Sequence, residues 1–374
     1  MSLYRALGRE AKSRQGEYYC QEFSGAGQPM TTLTTQSTQS DLEALPKVPV
    51  TERPQLTPIS APSDQCQFIV FDLETTGLTP HSDICQIAAM KANPHGVESV
   101  WSTYLLPARN IEKRAQKTTG LTVDYYHGQK RLCLHGAPVE AQAYEDGIRS
   151  FYSYLKEQSS QRQHTVLVGY GSERFDVPVL INSFKRYGIS SQDLEGFIAG
   201  FTDALYLIRK MRAGGHPSLV KVGLSTSLSN IYCHLFNTQL TDAHNAIADT
   251  RALHRILFQS QLNISSTQLL SYSSTLSSSY EVAQYTSTYL SYLNSMKGKL
   301  FNYEDKPKLS ITRYIATKIA KSGICYDDLA KIYKEEGPIG ITVLLTSPCD
   351  GATCRVTNDQ KIVQAVIQHF QSLD

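Results

Sequence analysis

Two acids spaced by one residue, Asp72 and Glu74, end the apolar run in FIVFDLETTG, residues 68–77. The run reads as a buried strand, where an unpaired carboxylate is costly. Residues i and i+2 of a strand project from the same side, so both carboxylates leave its carboxyl end together. In open α/β sheets that end is where ligands bind. A further acid, Asp176, follows the strand-like TVLVGY and opens the helical stretch DVPVLINSFKRYG. Alone, an Asp in that position is an ordinary helix cap. The third segment, LTDAHNAIADTRAL, carries His244 and Asp249. Asp249 lies among Ala246, Ala248, Ala252 and Leu253, small and apolar neighbours that fit an acid turned toward a sheet. His244 stands five residues earlier, off that helical face, and belongs in the turn entering the helix.

Carboxylates drawn from three segments cannot converge unpaired, because their repulsion raises their pKa values or opens the site. Hard divalent cations relieve that repulsion, and all-oxygen ligands suit Mg²⁺ or Mn²⁺ rather than Zn²⁺. Two such ions, about 3.5–4 Å apart, clamp the attacking and leaving oxygens of an in-line phosphoryl displacement. The expected cofactor is therefore two Mg²⁺, with Mn²⁺ able to substitute, on Asp72, Glu74, Asp176 and Asp249. Water is the expected nucleophile. His244, whose imidazole titrates in the physiological range, is the candidate base.

Asp72-x-Glu74, Phe175-Asp176 and His244-x₄-Asp249 fall in the order of the three motifs of the DEDDh family of 3′→5′ exonucleases, which this chain resembles over about residues 67–258. Within that family, GYGSERFDVPVL, with Arg174 and Pro178, is similar to the second motif of the three-prime repair exonucleases, and AHNAIAD to their third. The chain also resembles the exonuclease-type C-terminal region of the long isoform of the promyelocytic leukaemia protein. The resemblance implies an RNase H-like α/β fold, a five-stranded mixed sheet flanked by helices. It also implies hydrolysis from a 3′ end to nucleoside 5′-monophosphates. DNA is the favoured substrate, either single-stranded or at the 3′ end of a duplex, and RNA is the alternative. A catalytically silent binding module of the same fold is the rival reading, opposed by the intact acid set. By the same resemblance Thr75, Gly77 and Leu78 hold the terminal nucleotide, and KRAQKTTGLT (113–122) flanks it with Lys113, Arg114 and Lys117. The Gly-rich stretch RKMRAGGHPSLVKVG (209–223) matches a mobile basic loop that contacts DNA. Both basic stretches read equally as solvated surface. One departure stands out: the family's His-Asn pair before the second-motif Asp is Tyr170-Gly171 here. Tyr170 either stacks on a base or sugar or packs on its own helix.

The elements that must position these residues follow from pattern. QFIVFDLE, DICQIAAMKAN and VESVWSTYLLP read as a three-stranded meander. PVEAQAYEDGIRSFYSYLKE (138–157) reads as a helix beginning at Pro138, TVLVGY as a fourth strand and GFIAGFTDA as a fifth. Helices follow over ALYLIRKMR, LSTSLSNIYCHLF and DAHNAIADTRALHRILFQ. Residues 1–64, rich in Ser, Thr, Gln and Pro, are expected to be a disordered tail, with a short helix near 2–14. The exonuclease domain is expected over 65–259, a Ser/Thr-rich linker over 260–305 and a small helical module over 306–374. That module holds helices over ITRYIATKIAKSG, YDDLAKIYKEEG and TNDQKIVQAVIQHFQSL, the last capped by Thr357 or Asn358, and its protein partner is unknown.

Among 374 residues, 41 % are hydrophobic, and no run approaches the ~18 apolar residues of a spanning helix, so no membrane partner is expected. The opening residues lack the apolar core of a secretory signal, and the eight cysteines include no CxxC pair. An intracellular location, nucleus or cytoplasm, is the expectation. A net charge of +2 neither demands nor excludes a nucleic-acid partner.

Overall fold

The computed structural model describes residues 53–93, 96–159, 164–300, 326–348 and 354–372, with isolated residues between 318 and 324. The expected disorder over 1–52 and most of the helix expected over 311–323 lie outside the described residues. The described chain divides into two units, one within residues 53–287 and one within 288–374.

The strands of the first unit are β1 (Cys66–Thr75), β2 (Ile84–Asn93), β3 (Gly96–Leu106), β4 (Leu121–Tyr126), β5 (Gln129–Leu134), β6 (Ala137–Pro138), β7 (Ala141–Ala143), β8 (His164–Gly169), β9 (Ile198–Asp203) and β10 (Ser273–Thr275). Its helices are α1 (Lys113–Thr119), α2 (Tyr144–Gln158), α3 (Asp176–Arg186), α4 (Ser191–Glu195), α5 (Ala204–Ala213), α6 (Leu228–Phe236), α7 (Ala246–Phe258) and α8 (Ser266–Ser271), followed by α9 (Leu276–Leu300). Seven strands form one mixed sheet in the order β10-β9-β8-β1-β2-β3-β7. β1 is parallel to β8 and antiparallel to β2. The five strands expected from the sequence form the centre of this mixed sheet, and β7 and β10 extend its edges. A separate three-stranded sheet, β4-β5-β6, lies between α1 and β7 in sequence.

β1 is buried along its whole length, on both faces. Ile69, Phe71 and Leu73 belong to a core that includes Phe151 and Leu155 of α2 and Leu180 and Phe184 of α3. Phe68 and Val70 belong to the opposite core, with Ala252, Leu253 and Ile256 of α7. Continuous apolar residues along β1 are what burial between two helical layers demands. Asp72 and Glu74 continue the α7 side of this alternation.

Three expectations change. The helix expected from Pro138 begins at Tyr144, because Ala137–Pro138 pairs with β5 and Ala141–Ala143 with β3. The linker expected over 260–305 contains α8, β10 and α9; β10 pairs with β9, and Leu276, Tyr280 and Ala283 join the first core. Gly200 permits this pairing, since a Cβ there would collide with the Ser274 carbonyl. Residues 57–59, expected within the disordered tail, lie along β10: the Ile59 amide donates to Ser273 (3.2 Å) and the Thr275 amide to Thr57 (2.8 Å).

The second unit contains α10 (Tyr326–Thr346) and α11 (Gln360–Gln371). α10 is interrupted at Gly337, whose φ of 65° is open to glycine, and Pro338 starts its second half. Leu329, Ile341, Leu344, Val363, Val366 and Phe370 form its core. The side chain that caps α11 is Asp359, accepting from the Lys361 amide, rather than Thr357 or Asn358.

The turn that follows Glu74 hangs on a buried ion pair. Asp83 is fully buried; it accepts from the Arg186 guanidinium at 2.7 Å and from the Arg109 amide at 2.8 Å. Its own amide donates to the Thr76 hydroxyl at 2.9 Å. Tyr144, whose phenol burial pushes up to about 12, accepts from the Ile84 amide beside it. Arg186→Met would leave the buried Asp83 only the half-exposed Arg109 guanidinium, whose Nε lies 3.9 Å from Oδ1, so we expect a loss of about 2–3 kcal/mol in chemical denaturation. An unchanged midpoint would remove Asp83 from the set of structural anchors.

Candidate active site

The register of β1 against β2 sets Asp72 opposite Ala88 and Glu74 opposite Gln86. Ala88 leaves room beside the first acid. Gln86 anchors the start of α7: its Oε1 accepts from the Ala246 amide (3.0 Å) and its Nε2 donates to Asn245 Oδ1 (3.2 Å). Asn245 caps the helix in turn, accepting from the Ile247 amide. Ala246 and Ala252, both buried, let the helix approach the sheet. Asp249 stands three residues after Ala246, on the face turned to β1. Its carboxylate is thereby brought to Asp72 and Glu74, and one oxygen from each of the three lies within 4.8 Å of the others.

All three are buried, Asp249 to 1 % exposure. Burial holds the Glu74 carboxyl well above the usual carboxylate range, and the charges of Asp72 and Asp249 push it further up. The donor set is all oxygen and acidic, which fits a hard divalent cation. Asp176 is the first residue of α3, is buried to 2 %, and lies outside this 4.8 Å group. The loop that delivers it is fixed by Asp203, a residue that the sequence reading passed over. Asp203 Oδ1 accepts from the Gly171 amide (2.7 Å) and from the Leu205 amide (2.9 Å), capping α5 at the same time. Burial raises the Asp203 carboxyl although the three backbone donors Gly171, Glu173 and Leu205 pull the other way. Gly171 takes φ 71°, a left-handed turn that suits glycine better than the family's Asn.

His244 precedes α7 at φ 69°, and its amide donates to Asp249 Oδ2 at 3.3 Å. The half-buried residue is therefore held in the turn that the sequence predicted, outside the helix.

The residues expected to meet substrate divide. The Thr75 hydroxyl is buried and donates to the Gly77 carbonyl (2.8 Å), so it shapes the turn. A Cβ on Gly77 would meet the carboxylate of the exposed Glu112, which would have to move aside. Leu78 leans on a small core of Cys85, Ile111, Ala115, Leu121 and Leu132. Lys117 and Arg174 are exposed. Tyr170 is not available for stacking: it is 3 % exposed within the α7-side core, and its hydroxyl donates to the Thr226 carbonyl at 2.8 Å. The apolar neighbours that precede it in β8 continue through its ring. The expected DNA loop over 209–223 is also tied back, with Arg212 donating to the Leu224 carbonyl and Arg209 to Thr226 Oγ1. Gln86 and Asp203 gave no signal in the sequence, since a Gln in a strand and an Asp before a helix have ordinary roles.

Residues 69–130 match the family described as Exonuclease, and residues 308–373 the family described as the C-terminal domain of PML. Curated relatives include DNA polymerase III PolC-type of Streptococcus pneumoniae serotype 2 (strain D39 / NCTC 7466), 25 % identical over 195 residues, which are 52 % of this chain and 11 % of the relative. The same protein of Streptococcus mutans serotype c is 26 % identical over 196 residues, again 52 % and 11 %. The chain thus spans only 11 % of the length of these relatives. Among solved structures, the zinc-bound E. coli ExoI–ssDNA complex is 18 % identical with a TM-score of 0.40, covering 69 % of this chain and 50 % of that one. A second exonuclease I structure is 19 % identical with a TM-score of 0.41, covering 68 % and 50 %. In its ordered acid motifs and its match over residues 69–130, the region that opens with β1 is similar to the DEDDh-type 3′→5′ exonucleases.

Proposed function

We propose that this chain hydrolyses phosphodiester bonds from the 3′ end of nucleic acid, with DNA the favoured substrate, and releases nucleoside 5′-monophosphates. The observation that carries the reading is the approach of the Asp72, Glu74 and Asp249 oxygens to within 4.8 Å in a buried place. These three, with Asp176 from the start of α3, would hold two Mg²⁺. Such a pair, when bound, lowers the pKa of an attacking water and takes up charge on the leaving oxygen. His244, held beside Asp249 by its own amide, accepts the water's proton. The Thr75–Gly77 turn, held by the Thr75 hydroxyl on the Gly77 carbonyl, would supply backbone against the terminal nucleotide. The similarity to proteins named DNA polymerase III supports DNA as the favoured substrate.

The test is a digestion ladder on 5′-labelled DNA and RNA of matched sequence, with Mg²⁺, Mn²⁺ or EDTA. Ladders form with either metal and stop in EDTA. Asp72→Asn lowers the rate about a thousandfold or more, the consequence of losing several kcal/mol of charge stabilisation. His244→Ala lowers it by about 10²–10⁴ but keeps the rise in Tm on adding Mn²⁺. Ladders that survive Asp72→Asn would sink the reading.

Stability should report the same repulsion. The folded pKa of Glu74 lies above its unfolded value, so the group favours the fold in acid and opposes it as pH rises through the folded value. In EDTA at neutral pH, Glu74→Gln should therefore melt a few degrees above the wild type. The gap should close below the ordinary carboxylate range, where Glu74 is protonated in both states. Identical melting curves at neutral pH would show that this carboxylate carries no burial cost.

A further inference from the structure

β4 and β5 form a hairpin that the sequence reading did not foresee. They close on His127-Gly128, with φ 48° and 77°, two left-handed residues in a row as a type I′ turn requires. The root is firm. Leu121 and Leu132 are buried with Ile111 and Ala115, in the same small core on which Leu78 leans beside the acid turn. The Lys130 amine donates to the Pro107 and Ala108 carbonyls at 2.6 and 3.0 Å, pinning the hairpin to the chain that leaves β3.

The tip is unlike the root. Tyr125 and Tyr126 are 68 % and 57 % exposed. Strand alternation puts them on opposite faces of the ribbon. The Arg131 guanidinium lies over the Tyr126 ring, 4.9 Å from its centroid, and His127 meets that ring edge-on at 4.2 Å. Just before the hairpin, α1 exposes Lys113, Arg114 and Lys117. Across residues 112–131 five Lys and Arg face two carboxylates, Glu112 and Asp124. Exposed aromatic rings with a cation at the tip and further cations on α1 before the root are the combination that holds single-stranded nucleic acid: rings stack on bases and cations meet phosphates. An acidic or neutral partner strip would not use both.

We propose that the β4–β5 hairpin is a binding arm for single-stranded nucleic acid, stacking bases on Tyr125 and Tyr126 and meeting phosphates with Arg131 and the α1 cations. Its place on the strand, upstream of the 3′ end held at the acid site, rests on the exonuclease reading above. The arm is preorganised by Lys130 and the buried root, so binding orders little of the protein.

The test is fluorescence anisotropy in EDTA with labelled oligo-dT and oligo-U of about 20 nucleotides, long enough to run past one site. Tyr125→Ala/Tyr126→Ala should weaken binding about tenfold or more while keeping the far-UV circular dichroism and the Mn²⁺-induced rise in Tm. Arg131→Gln, a milder change at the same tip, should flatten the log–log salt dependence by about 0.7. Wild-type affinity in the double variant, or no binding of either oligonucleotide by the wild type, overturns the arm. Hydrolysis of the 4-nitrophenyl ester of thymidine 5′-monophosphate by the wild type separately tests the acid site, because a single nucleotide does not span both places. Absent hydrolysis with tyrosine-dependent binding would keep the arm and remove the exonuclease reading.

Discussion

Three carboxylates buried together, two from β1 and one from α7, are the constraint around which this fold is arranged. Left to themselves they repel, and the low polarity around them strengthens the repulsion. Their positions are therefore imposed by groups outside the cluster. Gln86 sits opposite Glu74 in the ladder and holds the first turn of α7 with both ends of its amide. Asn245 caps the same turn, and the His244 amide reaches Asp249. On the other side of β1, the Asp83–Arg186 pair fixes the turn that follows the acids. Asp203 gathers the loop that ends in Asp176.

Much of this was legible in the residues. The period-two placement of Asp72 and Glu74, the helix opened by Asp176 and the small residues around Asp249 are local patterns, and local patterns survive folding. The central five strands were legible for the same reason. What was not legible depended on pairing between distant segments. Ser273–Thr275 is a strand only because β9 offers an open edge and Gly200 lets the backbones meet. Tyr170 looked like a substrate platform from its place beside the second motif, yet the ring continues the apolar face of β8. The β4–β5 hairpin carries only a weak signal, alternating residues around His-Gly in place of the Asn-Gly or Asp-Gly that marks such a turn.

Each family match falls within a single one of the two units. The Exonuclease match lies within the unit of residues 53–287, and the PML C-terminal match within the second. In the second unit a glycine break and a proline turn one apolar pattern into two helical halves, and α11 supplies the remaining core side chains. Its apolar core is flanked by the buried His369, hydrogen-bonded to Tyr326 at 2.9 Å.

The short pairing of residues 57–59 with β10 changes where the catalytic unit begins. Those residues use the outer amides and carbonyls of the last strand, as the Ile59–Ser273 and Thr57–Thr275 bonds record. A recombinant fragment cut at the first strand, Cys66, would retain every acid yet present a bare rim of backbone. Such rims recruit strands from other molecules. The minimal soluble fragment therefore starts ahead of Thr57, within a stretch whose composition alone suggests it is dispensable.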